Sequence, residues 1–354
     1  SLTLRHHGSV WRAEAGLGHS QANTIFRDLE RGFFQSSLAR RTGVTVSFSD
    51  ISYLRPGVVT VTDPATGAAV DYTRLANYAL ATAGSTASES YDLQRTAYAN
   101  LARDLPAAVP LTLKAGLDLR ESRRDLRGLN SPYSFVGADG RASTVPAGGD
   151  DGAGPVLDEA FSRRIPGFGF PGIQWVDNEA LLRLQRANPS WFTADLNGAY
   201  RNATNLSKHA EEVVSAFFLR ADAALAGRRL RLTGGVRAEQ TNVSAEGPLT
   251  DAARNFQRDA AGRVVTGANG QPLALPGDAL QVSQRTLVDR GLRVRKEYLR
   301  WFPSLNASWN FTDNLVARGA SYVSIGRPDF NQYAGGLTLP NTEAPPASNN
   351  VISV

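Results

Sequence analysis

The stretch "FPSLNASWNFTDNLVARGASYVSIGRPDF" (residues 302–330) reads as two alternating apolar runs joined by a Thr312-Asp313-Asn314 turn, and it ends on a charged Arg327-Pro328-Asp329 corner. In the first run, begun a little earlier, Trp301, Leu305, Trp309 and Phe311 share one face, whereas Arg300, Asn306 and Asn310 share the other. Successive side chains of a strand point to opposite sides, so a period of two sorts the run into an apolar and a wet face. A soluble sheet hides its apolar face in a core, whereas a barrel in lipid turns that face outward around a wet lumen.

The same period recurs along the chain. In "PLTLKAGLDLRES" Leu111, Leu113, Ala115, Leu117 and Leu119 oppose Thr112, Lys114, Asp118 and Arg120. In "EEVVSAFFLRADAAL" Val213, Phe217, Leu219, Ala221 and Leu225 oppose Glu212, Arg220 and Asp222. Only "AGRR" separates it from "RLRLTGGVRAEQT", where Leu230, Leu232, Val236 and Ala238 oppose Arg231, Thr233, Arg237 and Glu239, so the two predict a tight hairpin. "LTLRH" pairs with "VWRAEAGLGHS" around "HHGS", and "YDLQRTAYANLARDL" meets the Leu111 strand across a turn holding Pro106 and Pro110. Four hairpins and about eight long strands result.

Between them lie irregular segments at roughly 27–88, 124–208 and 247–295, with an open tail after 328. Such loops far exceed the usual connections of about 4–6 residues. Short turns alternating with long loops are the rhythm of outer-membrane barrels, and each strand supplies the roughly 9–11 residues that cross a bilayer at a tilt. The fold class expected is all-β: a fragment of a transmembrane antiparallel β-barrel with short periplasmic turns and long extracellular loops. Charges fall on the lumen parity, with Arg95 and Ser321 as exceptions. Trp11, Trp301, Trp309 and Phe311 read as an aromatic girdle beside the short turns.

Composition removes other classes. Cysteine is absent from the 354 residues, which excludes a disulfide framework and thiolate metal sites. Methionine is absent even at position 1, and the chain reads as a piece of a longer protein. No apolar run approaches the roughly 20 residues of a membrane helix. The net charge is +5, and only Lys114, Lys208 and Lys296 are not arginine among the basic residues. Those arginines alternate within strands instead of clustering with aromatics, so no nucleic-acid partner is expected. Nucleophile elbow, phosphate-binding loop and zinc-helix motifs are missing, and the chain does not read as an enzyme.

The opening stretch resembles the strand, turn, strand and "RPDF" corner of TonB-dependent outer-membrane receptors, most closely the proteobacterial type that includes many carbohydrate-uptake receptors. "LRLTGGVRAEQTNVSAEG" is similar to that family's "GGVRYE" strand. The resemblance implies a barrel of about 22 strands with a plugged lumen, set in the bacterial outer membrane among its lipids and lipopolysaccharide. It also implies a plug and a TonB box that couple import to the inner-membrane proton gradient. Residues 1–354 would then be a partial barrel domain without plug, TonB box, early strands or terminal aromatic-ending strand, and its two open edges would invite aggregation. The function implied is active import of a scarce nutrient, an oligosaccharide ahead of a ferric siderophore. The alternatives are a plug-free porin and a soluble β-rich sugar-binding module.

Two groups of residues are the candidates for function. In the loop from 124 to 208, Phe168, Phe170, Trp175 and Trp191 lie with Asp177 and Asn178, the chemistry of a small-molecule sugar site. The competing reading folds the aromatics onto the loop itself, with "NEALLRLQ" as a short amphipathic helix. Lys114, Arg120, Arg220, Arg237 and Glu239 are expected to face the lumen and hold the plug, and Arg327 and Asp329 to fix a strand end. No cofactor is expected, and no metal site: His6, His7, His19 and His209 are dispersed, and Asp150-Asp151-Gly152 lacks calcium-loop spacing and reads as a solvated loop.

Overall fold

The structure, a computed structural model, describes residues 1–53, 55–143 and 149–343. The chain runs through β1 (Leu2–His7), β2 (Trp11–Phe26), α1 (Asp28–Arg31), β3 (Ser36–Arg40), β4 (Thr45–Ile51), β5 (Pro56–Thr62), β6 (Ala79–Leu105) and β7 (Leu111–Phe135). It continues through α2 (Glu159–Ser162), α3 (Asn178–Ala187), β8 (Phe192–Ala194), α4 (Leu196–Leu206), β9 (Lys208–Leu225), β10 (Leu230–Thr250), α5 (Ala279–Thr286), β11 (Leu287–Thr312), β12 (Leu315–Tyr322), α6 (Phe330–Tyr333) and β13 (Leu337–Thr338). Eight long strands form one path in the order β1-β2-β6-β7-β9-β10-β11-β12, each antiparallel to its neighbours. The four hairpins read from the sequence are all present.

Register carries the apolar parity from strand to strand. Leu117 stands between Ala99 and Phe217, and Ala238 between Phe217 and Trp301. These side chains point away from every other element: Leu117 is 59% exposed and Trp301 60%. A continuous apolar face of this extent is foreign to a water-facing monomer and fits a wall in hydrocarbon. No helix among the described residues is long and apolar enough to cross a membrane; the strands do the crossing. On the inner face, glycine is needed where large side chains lie flat. A β-carbon on Gly16 would stand 2.5 Å from the Tyr98 ring, and one on Gly116 2.4 Å from that of Phe218.

Arg95 does lie on the outer parity, directly opposite Glu121, and the two form an ion pair at 3.3 Å. At about 3.3 Å per residue and a tilt near 45°, they stand roughly 23 Å above the Pro106–Pro110 turn, at the upper edge of an apolar band about 25 Å tall. The exception therefore marks where the hydrocarbon ends. Trp309 and Phe311 stack at 5.3 Å beside the β11–β12 turn, and Arg103 lies 4.9 Å from the Trp11 ring near the β1–β2 turn. Trp301 corrects the girdle reading: it sits well up β11 opposite Ala238, far from that turn.

The irregular segments are shorter than their sequence suggests, because β6 begins at Ala79, β7 runs on to Phe135 and β11 begins at Leu287. Above the bilayer no hydrocarbon sorts the two faces, so alternation lapses while pairing continues. The loops pack there. Phe34, Leu75, Leu80, Phe135, Leu181 and Phe192 form a buried cluster that joins the first loop and the 136–207 loop to the tops of β6 and β7. Phe34 carries it, with its ring 5.8 Å from Tyr133 and 6.3 Å from Phe192. Buried Asp28 ties the base: Oδ1 accepts from Ser85 Oγ and the Leu29 N–H, and Oδ2 from the N–H groups of Gln35 and Thr86.

The solvated-loop reading of Asp150-Asp151-Gly152 is corrected at its centre. Asp151 is fully buried, its carbonyl accepts the Leu80 N–H at 2.8 Å, and Gly152 bridges to Ala79. Burial pushes its carboxyl up from the ordinary range, with Asp150 and Asp139 adding to the rise and the Ser143 N–H opposing it. The last part of the open tail, 344–354, lies outside the described residues.

Candidate functional site

Two places carry charge and aromatic surface suited to a ligand: the inner face of the wall and a cleft in the loops. On the inner face, cross-strand register brings Lys114 opposite Arg220 and Arg237 opposite Phe218. The cations do not stand alone. Lys114 and Arg220 converge on Asp222, at 3.6 and 2.6 Å, and the Thr233 hydroxyl donates to the same carboxylate. Arg120 and Arg237 share Asp118, at 3.4 and 3.1 Å, and Arg237 reaches Glu239 at 2.6 Å. The wall thus neutralises much of its own charge, with Asp118 and Asp222 as the counter-ions. Arg231 and Arg318 make no ion pair among the described residues and line a shallow hollow of ≈ 380 Å³ at the turn end of the wall.

The "RPDF" corner does more than end a strand. After Tyr322 the chain leaves the wall and folds onto the inner face. Arg327 forms an ion pair with Glu239 and reaches the Thr241 hydroxyl at 3.5 Å. Asp329 caps α6, accepting the Gln332 N–H, and Tyr333 and Ala334 pack on Ala210, Val243 and Ala245. β13 then pairs in parallel with the top of β10. With Glu239 only 11% exposed, removing its partner costs about 2 kcal/mol, the range of a hydrogen bond to a charged group. Arg327→Ala is expected to lower the unfolding free energy of the protein, read from its urea transition, by that amount. Glu239→Gln is expected to cost more, because it also releases Arg237. Purely additive effects in the double variant would mean that the pair is not formed.

The loop candidates separate in space. Asp177 is the cap of α3, with its Oδ1 accepting the N–H groups of Glu179 and Ala180, and it pairs with Arg183. Asn178 opens that helix and gives its carbonyl to the Phe34 N–H. Trp191 lies against Phe135 at 6.4 Å at the edge of the buried cluster. For these three, the reading in which the segment folds onto itself describes the contacts seen, and α3 is the helix expected at "NEALLRLQ". Phe168, Phe170 and Trp175 stay open, at 76%, 40% and 51% exposure. Trp175 meets Phe161 edge-on at 5.8 Å.

Phe170 enters a cleft of ≈ 700 Å³ between its own segment and the β4–β5 hairpin, with Phe48, Val58, Tyr72 and Ile173 on its walls. Arg55 pins the two sides, Nε donating to the Phe168 carbonyl at 2.7 Å and Nη1 to that of Pro56 at 3.1 Å. Phe168 and Gly169 both adopt left-handed backbone, φ +62° and +75°, which turns that carbonyl toward Arg55. Phe48, Arg55 and Tyr72 were missed from sequence. The signal was present in "TVSFSDI" and "PGVVTVT", two alternating runs around a turn within a segment read as irregular.

A wall apolar outside and charged inside, with tight turns at one end and folded loops at the other, defines an outer-membrane β-barrel protein. Residues 19–351 match the family described as TonB dependent receptor-like, beta-barrel, and the chain belongs to that family. It is a bacterial outer-membrane protein whose barrel serves TonB-dependent transport, and the family's members are transporters, not enzymes. A search of curated proteins finds no match.

Proposed function

We propose that the receptor imports an oligosaccharide, captured first in the cleft between the β4–β5 hairpin and the Phe170 segment. The observation that supports this is the lining itself: Phe48, Tyr72 and Phe170 place aromatic rings around the cleft, with the Arg55 guanidinium and the Tyr72 hydroxyl as polar groups, on the loop side of the barrel. Ring faces stack on the C–H surfaces of sugars, and Trp175, two residues beyond Ile173, would extend the platform. Passage onward would follow rearrangement of a plug coupled to TonB. The lumen residues Lys114, Arg120, Arg220, Arg237 and Glu239 would meet that plug as an already paired network, and Arg231 and Arg318 as open cations.

A ferric siderophore is the second reading, because Arg55 at the cleft would favour an anionic chelate. Binding of neutral oligosaccharides and of ferric hydroxamate and catecholate chelates to the full receptor separates the two. Phe170→Ala and Trp175→Ala are expected to weaken oligosaccharide binding about 10-fold each, or ~1.4 kcal/mol. Unchanged affinity in both variants would remove the cleft from the binding site, and binding of chelates alone would reverse the order of the readings.

A further inference from the structure

One transverse row of the inner face differs from the paired network below it. Cross-strand register sets Gln94 of β6 beside Ser122 of β7, and Ser122 beside Glu212 of β9. An amide, a hydroxyl and a carboxylate thus stand within about 10 Å, two strand spacings. Lys114, Arg120, Arg220 and Arg237 each close on a carboxylate of the wall. Gln94, Ser122 and Glu212 have no hydrogen-bond or ion-pair partner among the described residues. Their row lies one residue above the Arg95–Glu121 pair, and so at the outer mouth of the lumen. The segment that leaves the wall after Tyr322 roofs it: Pro328, Asp329 and Phe330 close a pocket of ≈ 290 Å³ over the three side chains. Arg124 holds the next row, donating to Asp92 at 2.5 Å with its guanidinium 6.0 Å from the Phe330 ring centroid.

The lining selects a ligand class. An amide and a hydroxyl each donate and accept, and a carboxylate accepts only, so the row can serve the hydroxyls of a polyol, which do both. Asp92, Glu212 and Asp329 outnumber Arg124 around the pocket, and Arg123, which also borders it, lies on the outer parity opposite Glu211. The excess negative charge disfavours an anionic chelate. The volume lies at the lower end of the range of small-molecule sites, about 300–1,000 Å³, and suits one end of a chain instead of its length. We propose that Gln94, Ser122 and Glu212, beneath Phe330, form an inner subsite for a neutral sugar unit, the station that follows the outer cleft. The inference rests on the oligosaccharide reading of the receptor and adds to it a site and a preference against acidic ligands.

The test is calorimetric titration of the full receptor in detergent with neutral malto-, xylo-, cello- and chito-oligomers, and with oligogalacturonate as the acidic comparison. Gln94→Ala and Glu212→Gln are each expected to weaken binding of the neutral oligomer about 10-fold, the loss of one strong hydrogen bond. Oligogalacturonate is expected to bind Glu212→Gln more tightly than wild type, because a like charge has gone. A merely structural role for Glu212 would weaken both ligands alike, and that result would overturn the proposal. Unchanged neutral binding in both lumen variants would overturn it too, and would leave the outer cleft standing if Phe170→Ala still weakens binding. No binding of any neutral oligomer to the wild type would overturn the inner subsite together with the reading it rests on.

Discussion

Phe34→Ala is expected to detach the loops from the barrel while leaving the wall folded. Phe34 is fully buried and touches elements from three parts of the chain: Tyr133 on β7, Phe192 on β8 and, through its N–H, Asn178 at the start of α3. Truncating a buried Phe to Ala costs about 3–5 kcal/mol, the transfer term plus the cavity left behind. That is a large share of the ~5–15 kcal/mol that holds a typical domain. The wall does not share the loss, because most of its ladders, from Leu105 to Thr86 between β6 and β7 and from Leu111 to Leu126 between β7 and β9, lie below the cluster. Limited trypsin digestion of the receptor in detergent reads the difference. Cleavage after Arg27, Arg31 and Arg41 should accelerate about 10²- to 4 × 10³-fold, the same 3–5 kcal/mol at 1.4 kcal/mol per decade, while heat-modifiable migration of the barrel stays as in wild type. Phe48→Ala, a change at a ring 58% exposed, should leave the digestion rate unaltered. An unaltered rate in Phe34→Ala would mean that the loops are held by something other than this cluster.

The wall was legible in the sequence because two solvents sort its residues. Within the apolar band, each strand presents one face to hydrocarbon and one to the lumen, and Leu113, Leu117 and Leu119 alternate with Thr112, Lys114 and Asp118. Above Arg95 and Glu121 the sorting stops. "ALATAGSTASES", the upper part of β6, carries small and polar residues on both faces, and nothing local distinguishes it from a loop. Its strand state comes from pairing with β7 and with β3, contacts distant in sequence. The loop site was legible only in part for the same reason. Trp175 and Phe170 were found by composition, but the opposite wall of their cleft comes from Phe48, Arg55 and Tyr72, in a different loop. Asp177 was read as a ligand group because a helix cap and a sugar-binding carboxylate use the same residue type. Only the Glu179 and Ala180 amides beside it distinguish them.

Leu117→Arg is expected to destabilise the receptor by about 2–4 kcal/mol, because it places a guanidinium on the lipid face near mid-bilayer. Leu117 lies six residues from Leu111 at the base of β7, about 14 Å up a strand tilted near 45°. Depth gives the decisive comparison. Leu113 is on the same face but close to the turn, so Leu113→Arg should cost only about 0–1 kcal/mol. On the inner face, Asn100→Arg sits at a similar height opposite Glu14, where water and an acidic partner receive the charge, and should cost little. The measurement is the urea midpoint of receptor refolded into lipid vesicles, for the three variants in parallel. A steep difference between positions 117 and 113 requires hydrocarbon at one and an interface at the other. Equal small costs at both would mean that the face meets water, and equal large costs would mean that it meets a protein core, as a soluble sugar-binding module demands. Only a wall in lipid makes the cost depend on height, so the profile along one face of β7 tests the membrane reading without reference to ligand or plug.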